Sequence, residues 1–269
     1  VDGVITFFLF GALVAMTAGA GAVLDEQFGL PSSVGNVLLV VAALLTVLAG
    51  IHGVVTAISL VVPLLLVAVV GISAATLLRA PLNPAAIGAL EGAQAPVPSW
   101  PLSAVVYVSY NIVLAVGVLA PLGTIAASPR ALKLGAVLGG LGLGVGALAI
   151  QLALLATLPQ SARLQVPMIY IAGRFPALVQ VAYSVVLLLE IYTTAVGNLY
   201  GFVVRIAKPR SAAFRWLVVA TSAVALLAGR LGFSSIVRTL YPAVGYAGLL
   251  LLLALTYALL RGLPENARP

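Results

Sequence analysis

Long apolar runs dominate this sequence and most limit what it can fold into. A transmembrane α-helix needs roughly 17–25 apolar residues, and eight segments of the 269-residue chain reach that length. These predicted spans are about 4–24, 34–50, 54–78, 101–126, 132–158, 177–204, 214–230 and 238–261. An α-helix satisfies its backbone hydrogen bonds within the segment, as lipid requires. The pattern therefore predicts an all-α, polytopic membrane protein with a single transmembrane domain over residues 1–269.

The composition supports a membrane protein and argues against a soluble one. Charged residues make up 7% of the chain, against about 25% in soluble globular proteins. The formal net charge is +7, but the basic residues lie between apolar runs. We therefore interpret them as topology signals that meet anionic lipid headgroups, and we expect no nucleic-acid partner. There is no cysteine, which excludes disulfides and thiolate sites from the sequence.

The start of the chain does not resemble a signal peptide. VDGVITFFLFGAL enters an apolar run almost at once, without a charged n-region or an A-x-A-like cleavage site. A chain cut from a longer one is the interpretation that the sequence favours.

The basic residues also predict the orientation in the membrane. With eight spans, one side collects the basic residues Arg130, Lys133, Arg205, Lys208, Arg210, Arg215, Arg261 and Arg268. The other side collects Arg79, Arg163, Arg174, Arg230 and Arg238. The positive-inside rule then places both termini in the cytoplasm, and we predict a multi-pass protein of the cell's inner (plasma) membrane. Residues 80–100 and 159–176 become external, and the apolar patch VPMIYIAG within the second predicts a re-entrant or interfacial segment.

One carboxylate lies at mid-span and asks for an explanation. Glu190 is about thirteen residues from either end of its span, where an ionised acid costs at least ~2.5 kcal/mol on insertion scales. At 3.6 residues per turn, Glu190, Thr194 and Asn198 lie on one stripe, flanked by Thr193 and Gly197. This pattern predicts an ion or proton site that faces a cavity. The alternative is a structural role, in which a protonated Glu190 hydrogen-bonds a neighbouring helix and stabilises helix packing.

A second polar cluster lies in the fourth span. Tyr107, Ser109, Tyr110 and Asn111 are nearly consecutive, so they cannot share one helical face. An amide in lipid is costly, and a helix unwound near Ser109–Asn111 would expose these groups to a cavity, as broken helices do in secondary transporters. We therefore predict that the chain departs from regular α-helix between Tyr107 and Gly117. The alternative is an interfacial belt of tyrosines.

Enzyme chemistry finds little support in these residues. His52 is the only histidine and lies in a tight turn, without H-E-x-x-H or G-x-S-x-G around it. We predict neither catalytic residues nor a resident metal or cofactor, and we take Na⁺ as a possible coupling ion only.

Three stretches resemble a known family: GAGAVLDEQFGLP, YVSYNIVLAVGVLAPLG and LLLEIYTTAVGNLYGFV. They are similar to the YkvI-like family of bacterial membrane proteins, which is placed among amino-acid permeases of the amino acid–polyamine–organocation superfamily. The resemblance covers nearly the whole chain. It implies a LeuT-like fold of ten core helices in two inverted repeats, of which these spans would be helices three to ten, so that the first two helices are missing.

The resemblance implies a secondary transporter for an amino acid or a similar small amphipathic solute, by symport with H⁺ or Na⁺. Tyr107, Ser109, Tyr110 and Asn111 would line the substrate cavity, while Thr193 and Thr194 would fall in a region that commonly contributes to an ion site. Glu190 would be the protonatable group or ion ligand. The competing hypothesis is a ligand-sensing or scaffold subunit that keeps this fold without transport.

Overall fold

The computed structural model of the protein describes residues 2–50, 52–80, 82, 96–125 and 128–261, which are helical with short connections and without a strand. The helices are α1 (Asp2–Phe28), α2 (Ser32–Ala49), α3 (His52–Arg79), α4 (Trp100–Ile125), α5 (Pro129–Ala156), α6 (Pro167–Ala172), α7 (Ala177–Val204), α8 (Ala212–Ala228) and α9 (Phe233–Arg261). Over these ranges seven helices are long and apolar enough to cross a membrane. The predicted fold class, a polytopic all-α membrane protein, is confirmed.

Each long helix lies over one of the predicted spans. The remaining long helix, α4, is 26 residues long, and its described apolar part is Trp100–Ala115. Most of the predicted external loop 80–100 falls on residues 81 and 83–95, outside the described ranges. The single domain over residues 1–269 stays a prediction.

The segment 159–176 folds back into the protein. A 3-10 turn at Ser161–Arg163 leads into the six-residue helix α6, which packs against α1, α3, α5 and α7. Four of its six residues are buried, namely Met168, Ile169, Ile171 and Ala172. This burial agrees with a re-entrant segment, because the helix is too short to span a bilayer.

Helix α1 is the centre of the bundle. Within its apolar span 72% of the residues are buried, against 11% for α5 at the periphery. Helix α1 contacts α2, α4, α7, α8 and α9. A Cβ placed on Gly19 would lie 3.9 Å from Ile191, and one on Gly201 would lie 3.4 Å from Leu9, so α1 and α7 run antiparallel.

Small residues allow the closest helix contacts. Gly35 of α2 meets the backbone of α1, where an added Cβ would lie 2.5 Å from the carbonyl oxygen of Ala20. Gly245 and Gly248 bring α9 against α4, where Cβ atoms would lie 2.5 Å from Val106 and 2.6 Å from Ser109. Because apolar side chains gain little by associating in lipid, close backbone approach of this kind is a main source of helix packing.

Candidate functional site

An open cavity of about 510 Å³ lies between the first half of α4 and α9. Two of the residues predicted to bind substrate, Tyr107 and Tyr110, line it. From α9 come Arg238 and Tyr241, and Trp100 stands at the start of α4. The cavity therefore combines aromatic rings with one guanidinium group.

The tyrosine rings of this cavity form a connected set. The ring centroids of Tyr107 and Tyr110 are 5.3 Å apart, those of Tyr110 and Tyr241 are 4.9 Å apart, and both pairs are edge-to-face. Phe8 of α1 packs behind them, 5.6 Å from Tyr241 and 6.3 Å from Tyr110. Such pairs stabilise one another by about 0.5–1.5 kcal/mol beyond the area they bury. The aromatic wall is thus held in place by the helix at the centre of the bundle.

The predicted unwinding of α4 is wrong. The backbone stays α-helical from Trp100 to Ile125, through the whole stretch from Tyr107 to Gly117. The amide of Asn111 donates to the carbonyl oxygen of Tyr107 one turn earlier, at 2.8 Å. The polar amide is therefore partly satisfied within its own helix, which removes the reason for expecting a break.

Ser109 serves the contact between α4 and α9. Its buried hydroxyl donates to the carbonyl oxygen of Gly245 at 2.7 Å. Ser109 is not among the residues that line the cavity, and the half-buried Asn111 is bonded to its own helix. Substrate contacts by Ser109 and Asn111 stay predictions.

The predicted coupling residues lie along the middle of α7. Glu190 is half-buried, and its Oε2 atom is buried without a hydrogen-bond partner among the described residues. The buried Thr193 donates to the backbone carbonyl of Glu190 at 3.1 Å, and Thr194 is half-buried. Asn198 is buried, and its Nδ2 likewise finds no partner in the described part of the chain. Buried polar atoms without a hydrogen-bond partner are rare in folded proteins, and each one needs an explanation.

The structure does not bring the two predicted groups into one cavity. None of the α7 residues lines the cavity between α4 and α9. Helix α7 packs on α1, α2, α3 and α8, whereas α4 packs on α9 and α1. Helix α1 contacts both of these helices: Phe8 meets Tyr110 of α4, and Phe10 meets Phe202 of α7 at 5.6 Å. Any coupling between them has α1 as the common neighbour.

Sequence reasoning missed the α9 side of the cavity. Arg238, Tyr241 and Pro242 are spaced i, i+3 and i+4, so they share one helix face and all line the cavity. That spacing was visible in the sequence. The sequence does not show that this face of α9 meets Tyr107 and Tyr110, which lie about 130 positions earlier in the chain.

A further polar site fastens the re-entrant segment to α1. The backbone N–H groups of Gln165 and Val166 donate to the two carboxylate oxygens of Glu26, at 2.7 and 3.0 Å. The side-chain oxygen of Gln165 in turn accepts from the backbone N–H of Phe233, at the start of α9. Gln27 accepts from the side chain of Gln180 on α7, at 3.1 Å. The end of α1 thus joins α6, α7 and α9.

We expect Glu26→Ala to loosen the segment around α6. The substitution leaves two partly buried N–H donors without their acceptor, a loss of about 2 kcal/mol in the free energy of unfolding. Thermal unfolding in detergent and hydrogen exchange of the Gln165 and Val166 amides measure it. Asp25→Ala is the matched control, because among the described residues the exposed Asp25 carboxylate accepts a single hydrogen bond, from the hydroxyl of Ser32 at 3.3 Å. Unchanged exchange at both amides would contradict the assignment.

Comparisons with known proteins give two relatives in Bacillus subtilis (strain 168). The chain is 28% identical over 243 residues to "Uncharacterized membrane protein YkvI", covering 90% of this chain and 69% of the relative. It is 27% identical over 259 residues to "Uncharacterized protein YyaD", covering 94% of this chain and 73% of the relative. No family model and no solved structure matches. The similarity to YkvI supports the predicted resemblance to YkvI-like membrane proteins, and the LeuT-like fold stays a prediction.

Proposed function

We propose that this protein is a secondary active transporter for an amino acid or a similarly small amphipathic solute, coupled to H⁺ or Na⁺. The observation that carries the proposal is Glu190, a mid-span carboxyl group with a buried oxygen that lacks a partner among the described residues. Ionisable groups within spans mark ion or proton pathways in membrane proteins. In this proposal the protein has no catalytic chemistry.

The cavity between α4 and α9 supports the choice of solute. The guanidinium of Arg238 suits a carboxylate, because Arg binds planar anions through paired donors. The faces of Tyr107, Tyr110 and Tyr241 suit an ammonium group or an apolar side chain. A volume of about 510 Å³ is within the range of small-molecule sites. A zwitterionic amino acid meets all three conditions.

The ion would bind along α7. Glu190, Thr193, Thr194 and Asn198 offer carboxylate, hydroxyl and amide oxygens, which are hard ligands suited to Na⁺. Of these groups, the Glu190 carboxylate is the one that could instead carry a proton. Movement of α1, which contacts both α4 and α7, would then link ion binding to the solute cavity.

Uptake into proteoliposomes tests the proposal. Purified protein is reconstituted, a pH or Na⁺ gradient is imposed, and a panel of labelled amino acids is offered. We expect at least one amino acid to accumulate above its outside concentration, and we expect dissipation of the gradient to abolish the accumulation. Absence of accumulation across the panel under both gradients would contradict the proposal.

The second candidate is a ligand-sensing or scaffold subunit without transport. Two observations favour it: α4 is an unbroken helix, and Glu190 does not line the aromatic cavity. Such a protein would bind solute without moving it. Saturable binding to the detergent-solubilised protein, together with no uptake in proteoliposomes, would favour this candidate over the transporter.

We also propose that the protein lies in the plasma membrane and that both of its termini are on the cytoplasmic side. Because the chain has no native cysteine, single cysteines report topology directly. Ser161 is a poor probe, since it is buried and its hydroxyl donates to Leu154, whereas Ala162 and Ala212 are exposed. We expect impermeant maleimide to label Ala162→Cys but not Ala212→Cys in intact cells, and the reverse pattern would overturn the topology.

A further inference from the structure

A second large cavity lies at the other end of the bundle from α6. It has a volume of about 530 Å³ and is bounded by the end of α2, the last turns of α7 and the start of α8. Val47, Tyr200 and Phe214 form an apolar wall, and Arg210 and Arg215 stand at its edge. It shares no residue with the cavity between α4 and α9.

The wall of this cavity is well fixed. Val47 and Phe214 are 3% and 4% exposed, and the rings of Tyr200 and Phe214 are 6.1 Å apart in an edge-to-face arrangement. The hydroxyl oxygen of Ser211 accepts from the backbone N–H of Phe214 at 3.0 Å, which caps the first turn of α8. Such an apolar wall can contact the acyl chains of a lipid as readily as apolar protein side chains.

The described charged residues that line the cavity are all basic. Arg205, Lys208, Arg210 and Arg215 fall within eleven residues, and the sequence has no acidic residue between Glu190 and Glu265. The guanidinium-bearing side chains of Arg210 and Arg215 are exposed, and no acidic residue is among those that line the cavity. The first turn of α8 adds a partial positive charge. These charges favour an anionic ligand.

The neighbouring residues indicate the depth of the cavity in the membrane. Trp216 is 75% exposed, next to Arg215 at the start of α8. Exposed Trp residues beside basic residues are typical of the boundary between headgroups and acyl chains. This pattern favours headgroup level for the arginines and the acyl-chain side for the apolar wall.

We propose that this cavity binds the phosphate headgroup of an anionic phospholipid. Arg210 and Arg215 would donate charge-assisted hydrogen bonds to the phosphate oxygens, while Val47, Tyr200 and Phe214 would contact the acyl chains. Free phosphate offers the same oxygens without the chains, so the apolar wall is what distinguishes the two ligands.

Lipid retention measured by native mass spectrometry tests the site. Protein in detergent is titrated with phosphatidylglycerol or phosphatidylcholine, in the presence and absence of inorganic phosphate. We expect Arg210→Gln/Arg215→Gln to weaken phosphatidylglycerol binding by roughly tenfold or more, because the variant lacks both charge-assisted donors to the phosphate. Binding of phosphatidylcholine should change little. Arg210 has a φ of +64°, a backbone conformation that Gly and Asn adopt more readily than other residues. We choose Gln at this position because Gly or Asn would change the stability of the backbone as well as the charge.

Two further variants keep the test decisive. Arg163→Gln/Arg174→Gln removes the same charge from exposed positions at the other end of the bundle, and it should leave phosphatidylglycerol binding at the parent level. Arg210→Lys/Arg215→Lys keeps the charge and should retain most of the binding, which separates loss of charge from loss of folding. Equal weakening in the control, or complete displacement of the lipid by millimolar phosphate, would overturn the proposal.

Discussion

Glu190→Gln is expected to abolish ion-driven accumulation of solute while the protein still folds. Gln keeps the shape of the side chain and most of its hydrogen bonding, but it cannot gain or lose a proton and carries no negative charge for a cation. Holding a solute at a tenfold gradient stores about 1.4 kcal/mol. Binding of the solute alone cannot supply this energy, so the ion must. Without the titratable group, the inside concentration should rise only to the outside value.

The measurement is uptake in proteoliposomes under a pH or Na⁺ gradient, compared with exchange of preloaded solute without a gradient. Asp25→Asn is the matched control, because it neutralises a carboxylate at the end of α1 rather than in the middle of α7. The control should accumulate solute normally. If proteoliposomes with Glu190→Gln accumulate solute as well as those with the parent do, Glu190 only stabilises helix packing and the coupling assignment is wrong.

The two gradients also identify the ion. If Glu190 carries a proton, a pH gradient alone should drive uptake in the parent, and Thr193→Ala and Thr194→Ala should retain it. If the ion is Na⁺, hydroxyl oxygens belong to the ligand set, and loss of the Thr194 hydroxyl should raise the Na⁺ concentration that gives half-maximal uptake. The buried hydroxyl of Thr193 already donates to the Glu190 carbonyl, so its removal tests positioning as well as ligation.

The helices could be predicted from sequence because each carries its own signal. An apolar run of more than about 17 residues has few alternatives in a membrane protein, and α7 and α9 lie over the predicted spans to within a few residues. Glu190 was recognisable for the same reason, since a carboxylate stands out in apolar sequence. The partner of Glu26 was not recognisable, because the two N–H groups that it accepts lie 139 and 140 positions away.

The error at Asn111 has a local cause. An amide in lipid was expected to break the helix, but the side chain reaches the carbonyl oxygen of Tyr107 within the same helix. The cost of burying one amide is thus reduced by a bond that needs no unwinding. The cavity next to it arises from a different feature, the approach of α9 through Gly245 and Gly248, and such contacts between distant helices are not encoded in any single segment.

Gly35→Val is expected to have the largest effect on folding. A Cβ at this position would lie 2.5 Å from the Ala20 carbonyl oxygen and 2.8 Å from the Ala20 carbonyl carbon and Gly21 Cα, all of them backbone atoms that cannot turn aside. Helix α2 would have to move away from α1. Overpacking commonly lowers the free energy of unfolding by about 1–3 kcal/mol. Because the added side chain of Gly35→Val would meet backbone atoms of the central helix, we expect a loss at or above the upper end of that range.

The effect should extend to both candidate sites, because α1 carries Phe8 behind the tyrosines and packs along α7. The measurement is the fraction of monodisperse protein that survives heating in detergent. Gly139→Val is the matched control: the same exchange on helix α5, where an added Cβ meets no described atom within 4 Å. We expect the control to keep the parent's unfolding temperature and Gly35→Val to lose most of its folded yield. Equal stability of the two variants would mean that α1 and α2 do not approach each other as closely as Gly35 requires.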